Sequence, residues 1–184
     1  MRAFVAVVPP AAVLEPVARD LPSLRERWPG LGWIPPERWH LTLSFLGEIP
    51  VPTVEAVAAG LSQVAAATPV MAALIGPGGT FPGGRRPRVA WVGVAAEGLP
   101  GLAELVADAA HGAGIAVDRR PYQPHVTMAR VRREPVPDAD GLRGALGAAA
   151  GGAFTIDRLV LMQSFLGPKP RYEEVASWAL AGPE

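Results

Sequence analysis

Two short runs of this chain repeat one pattern of residue types, and this repeat constrains the fold more than any other feature. Residues 39–43 are WHLTL and residues 124–128 are PHVTM, so each run has a histidine followed two positions later by a threonine. Side chains on a strand alternate between faces, so each histidine shares a face with its threonine while the neighbouring apolar residues point into the core. We interpret the repeat as an ancient duplication. It predicts two similar halves whose motif strands lie side by side and direct both histidines into one cleft.

The spacing of apolar residues elsewhere predicts strands and helices that alternate loosely. Strands are predicted at 2–8, 39–46, 70–75, 89–94, 115–117, 123–131, 154–162 and 172–180, and helices at 13–28, 53–64, 102–109 and 142–150. Thr53 is the predicted N-cap of the second helix, and Pro16 and Pro22 predict a kink or a late start in the first. Residues 76–88, GPGGTFPGGRRPR, are predicted to form a long loop. The pattern predicts an α+β fold for residues 1–184, a single bilobal unit with two mainly antiparallel sheets and outer helices.

The charge balance restricts how this chain can contact a polyanion. Lys and Arg together number 17, as do Asp and Glu, so the formal net charge is zero. Such a chain lacks the bulk attraction that drives non-specific nucleic-acid binding, so any contact of this kind must be local. The chain has no cysteine, which excludes disulfides and a cysteine nucleophile. Its first apolar run stops at Pro9 and Pro10, too short for a membrane span, so we expect a cytoplasmic protein.

Two histidines facing one cleft suit the hydrolysis of a phosphodiester. The unperturbed pKa of histidine is about 6.5, so one ring can accept a proton from an attacking water while the other protonates the leaving oxygen. The hydroxyl groups of Thr42 and Thr127 would bind the phosphate oxygens. This chemistry needs no metal, and the scattered histidines lack the spacing of metal ligands. His111, at the end of a predicted helix, is assigned no catalytic role. From the residues alone, either His40 or His125 can be the acid.

The two motifs also resemble those of a known superfamily. HLTLSFLG at 40–47 and PHVTMARV at 124–131 resemble the paired His-x-Thr-x motifs of the 2H phosphoesterases. The chain is most similar to the RNA 2',3'-cyclic phosphodiesterase family, whose members are also called 2'-5' RNA ligases. Nearly the whole chain takes part, through the segments MRAFVAVVPP, WIPPERWHLTLSFLGEIP, FPGGRRPRVAWVGV, RPYQPHVTMARVRR and LMQSFLGPKPRYEEVASWAL.

This resemblance implies a fold, an activity and a division of roles. The fold would be the bilobal 2H phosphoesterase fold, and the activity would convert RNA 2',3'-cyclic phosphate ends to 2'-phosphomonoesters. His40 would be the proton donor to the departing O3', His125 would be the proton acceptor that activates water, and Thr42 and Thr127 would bind the phosphate. We expect no cofactor and no metal, and a monomer whose partner is RNA with a 2',3'-cyclic phosphate end.

Two further substrate-binding candidates conflict with simple strand alternation. Arg130 follows the second motif and is a candidate phosphate ligand, but alternation places it opposite His125 unless a bulge or the strand end intervenes. Phe45 resembles a family position near the nucleobase, yet alternation groups it with Leu41 and Leu43 in the core. The sequence leaves both roles open.

Other interpretations remain beside the hydrolase. Arg85, Arg86 and Arg88 either steer RNA phosphates toward the cleft or form a solvated basic loop, which is the commoner outcome. The same site can also run 2'-5' RNA ligation, in which a 5'-hydroxyl replaces water, and only product analysis separates the two reactions. A single-stranded RNA-binding module with incidental histidines is the alternative outside the enzymes. Zero net charge and 7% aromatic residues count against it.

Overall fold

The computed structural model describes residues 1–132, 135–168 and 170–182. Within these residues the chain forms nine strands, four α-helices and a short 3-10 helix at Pro36–Arg38. The strands are β1 (Arg2–Val7), β2 (Leu31–Trp33), β3 (Leu41–Glu48), β4 (Met71–Phe81), β5 (Val89–Ala95), β6 (His125–Val131), β7 (Ala153–Ile156), β8 (Arg158–Phe165) and β9 (Arg171–Ala179). The helices are α1 (Ala11–Arg27), α2 (Thr53–Ala67), α3 (Leu99–Gly112) and α4 (Ala139–Gly147).

The strands form two halves that meet at the motif strands β3 and β6. The order across the sheet is β7-β4-β5-β6-β3-β1-β8-β9, and β2 pairs with β6. Neighbouring strands run antiparallel in both halves. The halves join where Leu41 of β3 pairs with Val126 of β6. The predicted α+β fold with adjacent motif strands is therefore confirmed, and the two mainly antiparallel sheets of the prediction are the two halves of one continuous sheet.

The sheet is curled, because strands near its two ends are consecutive in the chain. β7 ends at Ile156 and β8 begins at Arg158, although β7 lies at one edge of the sheet and β8 lies next to the other edge. Only Asp157 lies between them, so the Cα atoms of Ile156 and Arg158 can be at most about 7 Å apart and the two ends must approach each other. The prediction of a single strand over residues 154–162 is wrong because the chain passes from one half to the other at Asp157.

The core lies between the helices and one face of the sheet. Its fully or almost fully buried members include Leu14, Val17, Leu21, Leu61, Leu102, Val106 and Leu142 from the helices and Val5, Leu41, Val92, Val126 and Leu161 from the strands. Helix α1 begins before Val13 and continues through Pro16 and Pro22, so the predicted late start is wrong. Each internal proline costs about 3 kcal/mol. Three buried apolar side chains, worth about 1.5–3 kcal/mol each, offset this cost.

Strand β4 occupies the first half of the segment predicted to be a loop. It continues to Phe81, and the turn to β5 covers only residues 82–88. β4 approaches β5 so closely that a Cβ at Gly78 would collide with the carbonyl oxygen of Trp91. A Cβ at Gly93 would lie 2.6 Å from the carbonyl oxygen of Pro77. Glycine at these two positions permits strand pairing where composition alone indicates a loop.

Three smaller differences have local causes. Thr53 is the first residue of α2 rather than its cap, because Pro52 occupies the capping position. Residues 115–117 form no strand, since the amide of Ile115 donates to the carbonyl oxygen of Ala110 at the end of α3. β2 was not predicted, because three residues carry too little periodicity. None of the described helices is long and apolar enough to cross a membrane.

Candidate active site

The structure brings together the four residues of the two motifs. Their side chains are half-buried on the face of the sheet opposite the core. The antiparallel register at the junction of β3 and β6 places His40 level with Thr127 and Thr42 level with His125. Directly opposed Cβ atoms in such pairs lie about 5 Å apart and diagonal ones about 7–8 Å. The two histidines are therefore diagonal neighbours across the junction.

Both imidazole rings are held by the same hydrogen bond. Nδ1 of His40 donates to the carbonyl oxygen of Arg38 at 2.8 Å, and Nδ1 of His125 donates to that of Gln123 at 2.7 Å. In each case the acceptor is the backbone carbonyl oxygen of the residue two positions before the histidine. A carbonyl oxygen only accepts, so Nδ1 must carry hydrogen in both rings. Nε2 is then the nitrogen left on each ring to accept or donate a proton in a reaction.

The surroundings of the histidines favour their neutral forms. Burial lowers the pKa of His40 below its ordinary value, although the hydrogen bond to the Arg38 carbonyl partly opposes this. The positive charges of Arg38, Arg130 and His125 lower the same pKa further. Burial also lowers the pKa of His125, and the charge of Arg130 adds to that shift. Without a bound anion, both rings are therefore mostly neutral at pH 7.

A β-bulge at the same offset in each motif strand decides where Arg130 and Phe45 point. Consecutive residues of β5 pair with Ala129 and Thr127, which leaves Met128 as an extra residue in β6. Consecutive residues of β1 pair with Ser44 and Thr42, which leaves Leu43 as an extra residue in β3. The bulged residues lie three positions after their histidines. A bulge shifts the alternation of faces by one residue.

Phe45 and Arg130 each lie two positions after a bulged residue, and both return to the face of the histidines. Arg130 is exposed, and its charge lowers the pKa of both histidines, so it lies near the candidate site. Phe45 is 63% exposed, so the expectation that it packs in the core is wrong. Both residues lie five positions after their histidine, and they occupy equivalent positions in the two halves.

Aromatic rings flank each histidine, and sequence reasoning did not assign them to the site. The ring centroid of His40 lies 4.8 Å from that of Phe4 and 5.1 Å from that of Tyr172. The ring centroid of His125 lies 5.0 Å from that of Phe81, which stacks on Trp91. These rings come from strands distant in sequence from the motifs, so no local pattern identifies them. They supply the apolar surroundings that bury both imidazoles.

Three polar groups next to the motifs were also missed. The Tyr122 hydroxyl donates to the carbonyl oxygen of Thr42 at 2.9 Å, and burial raises the pKa of this phenol. The Nε atom of Arg38 and the Nε1 atom of Trp91 are buried without a hydrogen-bond partner among the described residues. Arg38 also lies over the Tyr172 ring, 5.2 Å from its centroid. The sequence contained a signal for Arg38. It lies two residues before His40, just as Gln123 lies two residues before His125.

Other sequence candidates lie outside this cluster. His111 is in the last turn of α3, as predicted, and does not belong to the site. In the described part of the chain, no group of three or more His, Asp or Glu side chains is arranged to hold a metal ion. An apolar cavity of about 180 Å³ lies between the end of α1 and Pro135–Pro137, and none of the six site candidates lines it.

Comparison with known proteins identifies the class to which this fold and site belong. The profile described as "LigT like Phosphoesterase" matches residues 7–91 and 92–172, and each segment contains one motif. An RNA 2',3'-cyclic phosphodiesterase of Thermus thermophilus is 34% identical over 99% of this chain and 91% of its own length. One of Geobacillus stearothermophilus is 32% identical over 97% of this chain, which spans only 57% of that relative. A crystal structure of a Thermus thermophilus protein superposes with a TM-score of 0.82 at 28% identity, and the match covers 100% of both chains.

In this chain each matched segment carries one His-x-Thr strand at the junction, and the matches define the class as a phosphoesterase. The chain belongs to the LigT-like phosphoesterase family. The resemblance to the 2H phosphoesterases, and to their bilobal fold, is thereby confirmed, and the protein is an enzyme of that family.

Proposed function

We propose that this enzyme hydrolyses the 2',3'-cyclic phosphate end of RNA to a 2'-phosphomonoester, using His40 as proton donor and His125 as proton acceptor. The observation that carries the proposal is the matched Nδ1 hydrogen bond of the two rings. It holds both imidazoles in one orientation and leaves both Nε2 atoms for proton transfer. The printed names of the relatives supply the substrate class, and the order of donor and acceptor follows the family resemblance.

The reaction needs two proton transfers on opposite sides of one phosphorus atom. Nε2 of His125 removes a proton from water as the water oxygen bonds to phosphorus. The bond between phosphorus and O3' breaks, and Nε2 of His40 gives its proton to O3'. Because the histidines are diagonal across the strand junction, they can act from opposite sides of one phosphate, as an in-line displacement requires. Each turnover consumes one water. Afterwards His125 must lose one proton and His40 must regain one, which returns both rings to their starting states.

The remaining candidates bind the substrate in this proposal. The hydroxyls of Thr42 and Thr127 donate to the non-bridging phosphate oxygens, one from each motif strand. The guanidinium of Arg130, returned to the same face by its bulge, stabilises the charge that develops there. The exposed ring of Phe45, whose centroid lies 6.2 Å from that of Phe4, offers a surface on which a nucleobase can stack.

The low histidine pKa values fit this scheme once the substrate is present. The donor must be protonated, yet burial and neighbouring positive charges favour the neutral ring in the free enzyme. A phosphate anion between the rings favours a positive charge on them, because opposite charges at short range raise a histidine pKa. Substrate binding therefore supplies part of the electrostatic energy that protonates His40.

The test is turnover of an oligoribonucleotide that ends in a 2',3'-cyclic phosphate. His40→Ala and His125→Ala should each lower kcat by about 10²–10⁴-fold, the usual contribution of a general acid or base. The 2'-phosphorylated product should form in EDTA at an unchanged rate. Binding without turnover by the wild type would contradict the enzyme proposal and favour an RNA-binding module. Turnover that EDTA abolishes would contradict the metal-independent mechanism.

Product analysis separates hydrolysis from ligation. Incubation of the same oligonucleotide with a second RNA bearing a 5'-hydroxyl should give the 2'-phosphomonoester as the main product. A joined product that exceeds the hydrolysed one at saturating 5'-hydroxyl RNA would favour 2'-5' ligation. The cytoplasmic location, the monomeric state and the organisation of residues 1–184 as a single unit stay predictions.

A further inference from the structure

Five arginines lie on the turn between β4 and β5 and at or after the end of β6, in the half-sheet that carries His125. We call this surface the arginine edge, and its members are Arg85, Arg86, Arg88, Arg130 and Arg132. The chain as a whole has a formal net charge of zero, so this concentration is local. All five side chains are exposed.

Backbone contacts join the members of this edge. Val89 of β5 pairs with Arg130 of β6, and the amide of Val131 donates to the carbonyl oxygen of Arg88 at 2.9 Å. Arg132 follows Val131, whose side chain packs against the core, so alternation returns Arg132 to the face of Arg130. The side chain of Arg132 lies against Gly32 of the neighbouring strand β2.

The turn that carries Arg85 and Arg86 is fixed at both ends. It begins directly after Phe81, whose ring is 5.0 Å from that of His125. It closes with the amide of Arg88 donating to the carbonyl oxygen of Phe81 at 2.7 Å. The guanidinium of Arg143, in α4, donates to the carbonyl oxygen of Gly84 in the middle of the turn. The turn is therefore held at its ends and in its middle, and it begins next to a ring that contacts His125.

Four of these arginines have charge that no carboxylate of the described residues neutralises. No ion pair joins Arg85, Arg86, Arg130 or Arg132 to a carboxylate within residues 1–132, 135–168 and 170–182. A cyclic phosphate carries one negative charge. Arg130 and the two histidines are sufficient to bind that charge. The further guanidinium groups on the adjoining turn and strand end match a ligand with more than one phosphate.

We propose that the arginine edge binds the sugar–phosphate chain that leads away from the cyclic terminus, so that the enzyme prefers oligoribonucleotides to a cyclic mononucleotide. This inference rests on the proposed function and extends it to the size of the substrate. Single-strand binding by such contacts depends on salt, because each neutralised phosphate releases counterions. The gain should appear in KM rather than in kcat, since the members of the edge other than Arg130 do not touch the reacting atoms.

The experiment compares Arg85→Ala/Arg86→Ala with wild type and with Arg19→Ala/Arg25→Ala, which removes the same charge from exposed positions of α1. The substrates are a ribohexanucleotide with a 2',3'-cyclic phosphate end and a nucleoside 2',3'-cyclic phosphate. The first variant should raise KM for the hexanucleotide about 5- to 10-fold, the effect of two exposed ion pairs, and leave the mononucleotide kinetics unchanged. An unchanged hexanucleotide KM, or an equal rise in the α1 control, overturns the proposal.

A binding measurement separates failure of this inference from failure of the proposed function. Fluorescence anisotropy gives the Kd of a labelled hexanucleotide with a terminal 2'-phosphate between about 50 and 200 mM salt, a range in which phosphate contacts weaken measurably. The slope of log Kd against log salt should fall by roughly 1.4 in Arg85→Ala/Arg86→Ala, at about 0.7 per lost phosphate contact. An unchanged slope contradicts the arginine edge. If the arginine edge binds the hexanucleotide but neither substrate is turned over, only the proposed hydrolase function is contradicted.

Discussion

The hydroxyl of Tyr122 donates a hydrogen bond to the carbonyl oxygen of Thr42, 80 residues earlier in the chain, at 2.9 Å. It joins the segment that leads into one motif strand to the backbone of the other. In the described chain these strands pair at one position, Leu41 with Val126. The tyrosine therefore helps to fix the relative position of the two histidines, and in the proposed mechanism it would act on the reaction through that position.

Tyr122→Phe should lower stability by about 1 kcal/mol, because it leaves the partly buried Thr42 carbonyl without its partner. It should also lower kcat more than it changes KM, since phosphate binding survives while the alignment of acid and base loosens. Urea denaturation and steady-state kinetics measure the two effects. Tyr172→Phe is the matched control, because the described residues show no hydrogen bond of its hydroxyl. Equal behaviour of the two variants would exclude a positioning role for Tyr122.

The pH profile of kcat/KM should have its optimum below about pH 6.5. In the proposed mechanism the active free enzyme has one protonated and one neutral ring, and burial lowers both the His40 pKa and the His125 pKa below the ordinary 6.5. As pH rises above these values, the singly protonated form is lost and kcat/KM falls. Initial rates at low substrate between about pH 4.5 and 8.5 measure the profile. An optimum above about pH 7 would disagree with the observed burial of the rings.

Arg130→Gln should raise the pKa of both histidines. The positive charge of Arg130 lowers each of them, so its removal favours the protonated rings and moves the kcat/KM optimum to higher pH. NMR titration of the imidazole Cε1 protons measures the shift directly. Arg130→Lys keeps the charge and should leave the titrations close to those of the wild type. Unmoved titrations in the glutamine variant would show that Arg130 does not approach the rings in solution.

Stability should decrease as pH falls below about 6.5. In that range the unfolded chain protonates His40 and His125 at their ordinary pKa, while the folded protein keeps them neutral because its pKa values are lower. The unfolded state then binds more protons, so the free energy of unfolding falls with decreasing pH until the folded pKa values are passed. Urea unfolding between about pH 4.5 and 8 measures the slope. His40→Gln/His125→Gln should flatten it.

Phe45→Ala should cost much less stability than a core phenylalanine, whose truncation costs about 3–5 kcal/mol. Its ring is 63% exposed, so little buried area is lost. KM for a cyclic phosphate substrate should rise several-fold, because a stacked base contributes about 1–3 kcal/mol. Leu43→Ala, at the buried bulge of the same strand, is the contrasting variant and should cost about 2–5 kcal/mol. A large stability loss in Phe45→Ala would show that this residue packs in the core.

Sequence periodicity by itself determined the main elements and the faces of the motifs. Alternation placed His40 with Thr42 and His125 with Thr127 opposite a buried apolar face, and the duplicated pattern placed the two motif strands side by side. These predictions succeeded because they depend on the spacing of neighbouring side chains, which is local information.

Tertiary structure alone decided what lies beyond the third residue of each motif. The bulges at Leu43 and Met128 arise from how β3 and β6 pair with β1 and β5, and no residue type in either motif marks an extra residue. They turn Phe45 and Arg130 to the face of the histidines, against strict alternation. The aromatic neighbours of the rings and the bond from Tyr122 to Thr42 likewise join residues far apart in sequence. Local periodicity records which face a side chain prefers, but the partner strand sets the register that brings distant side chains to one site.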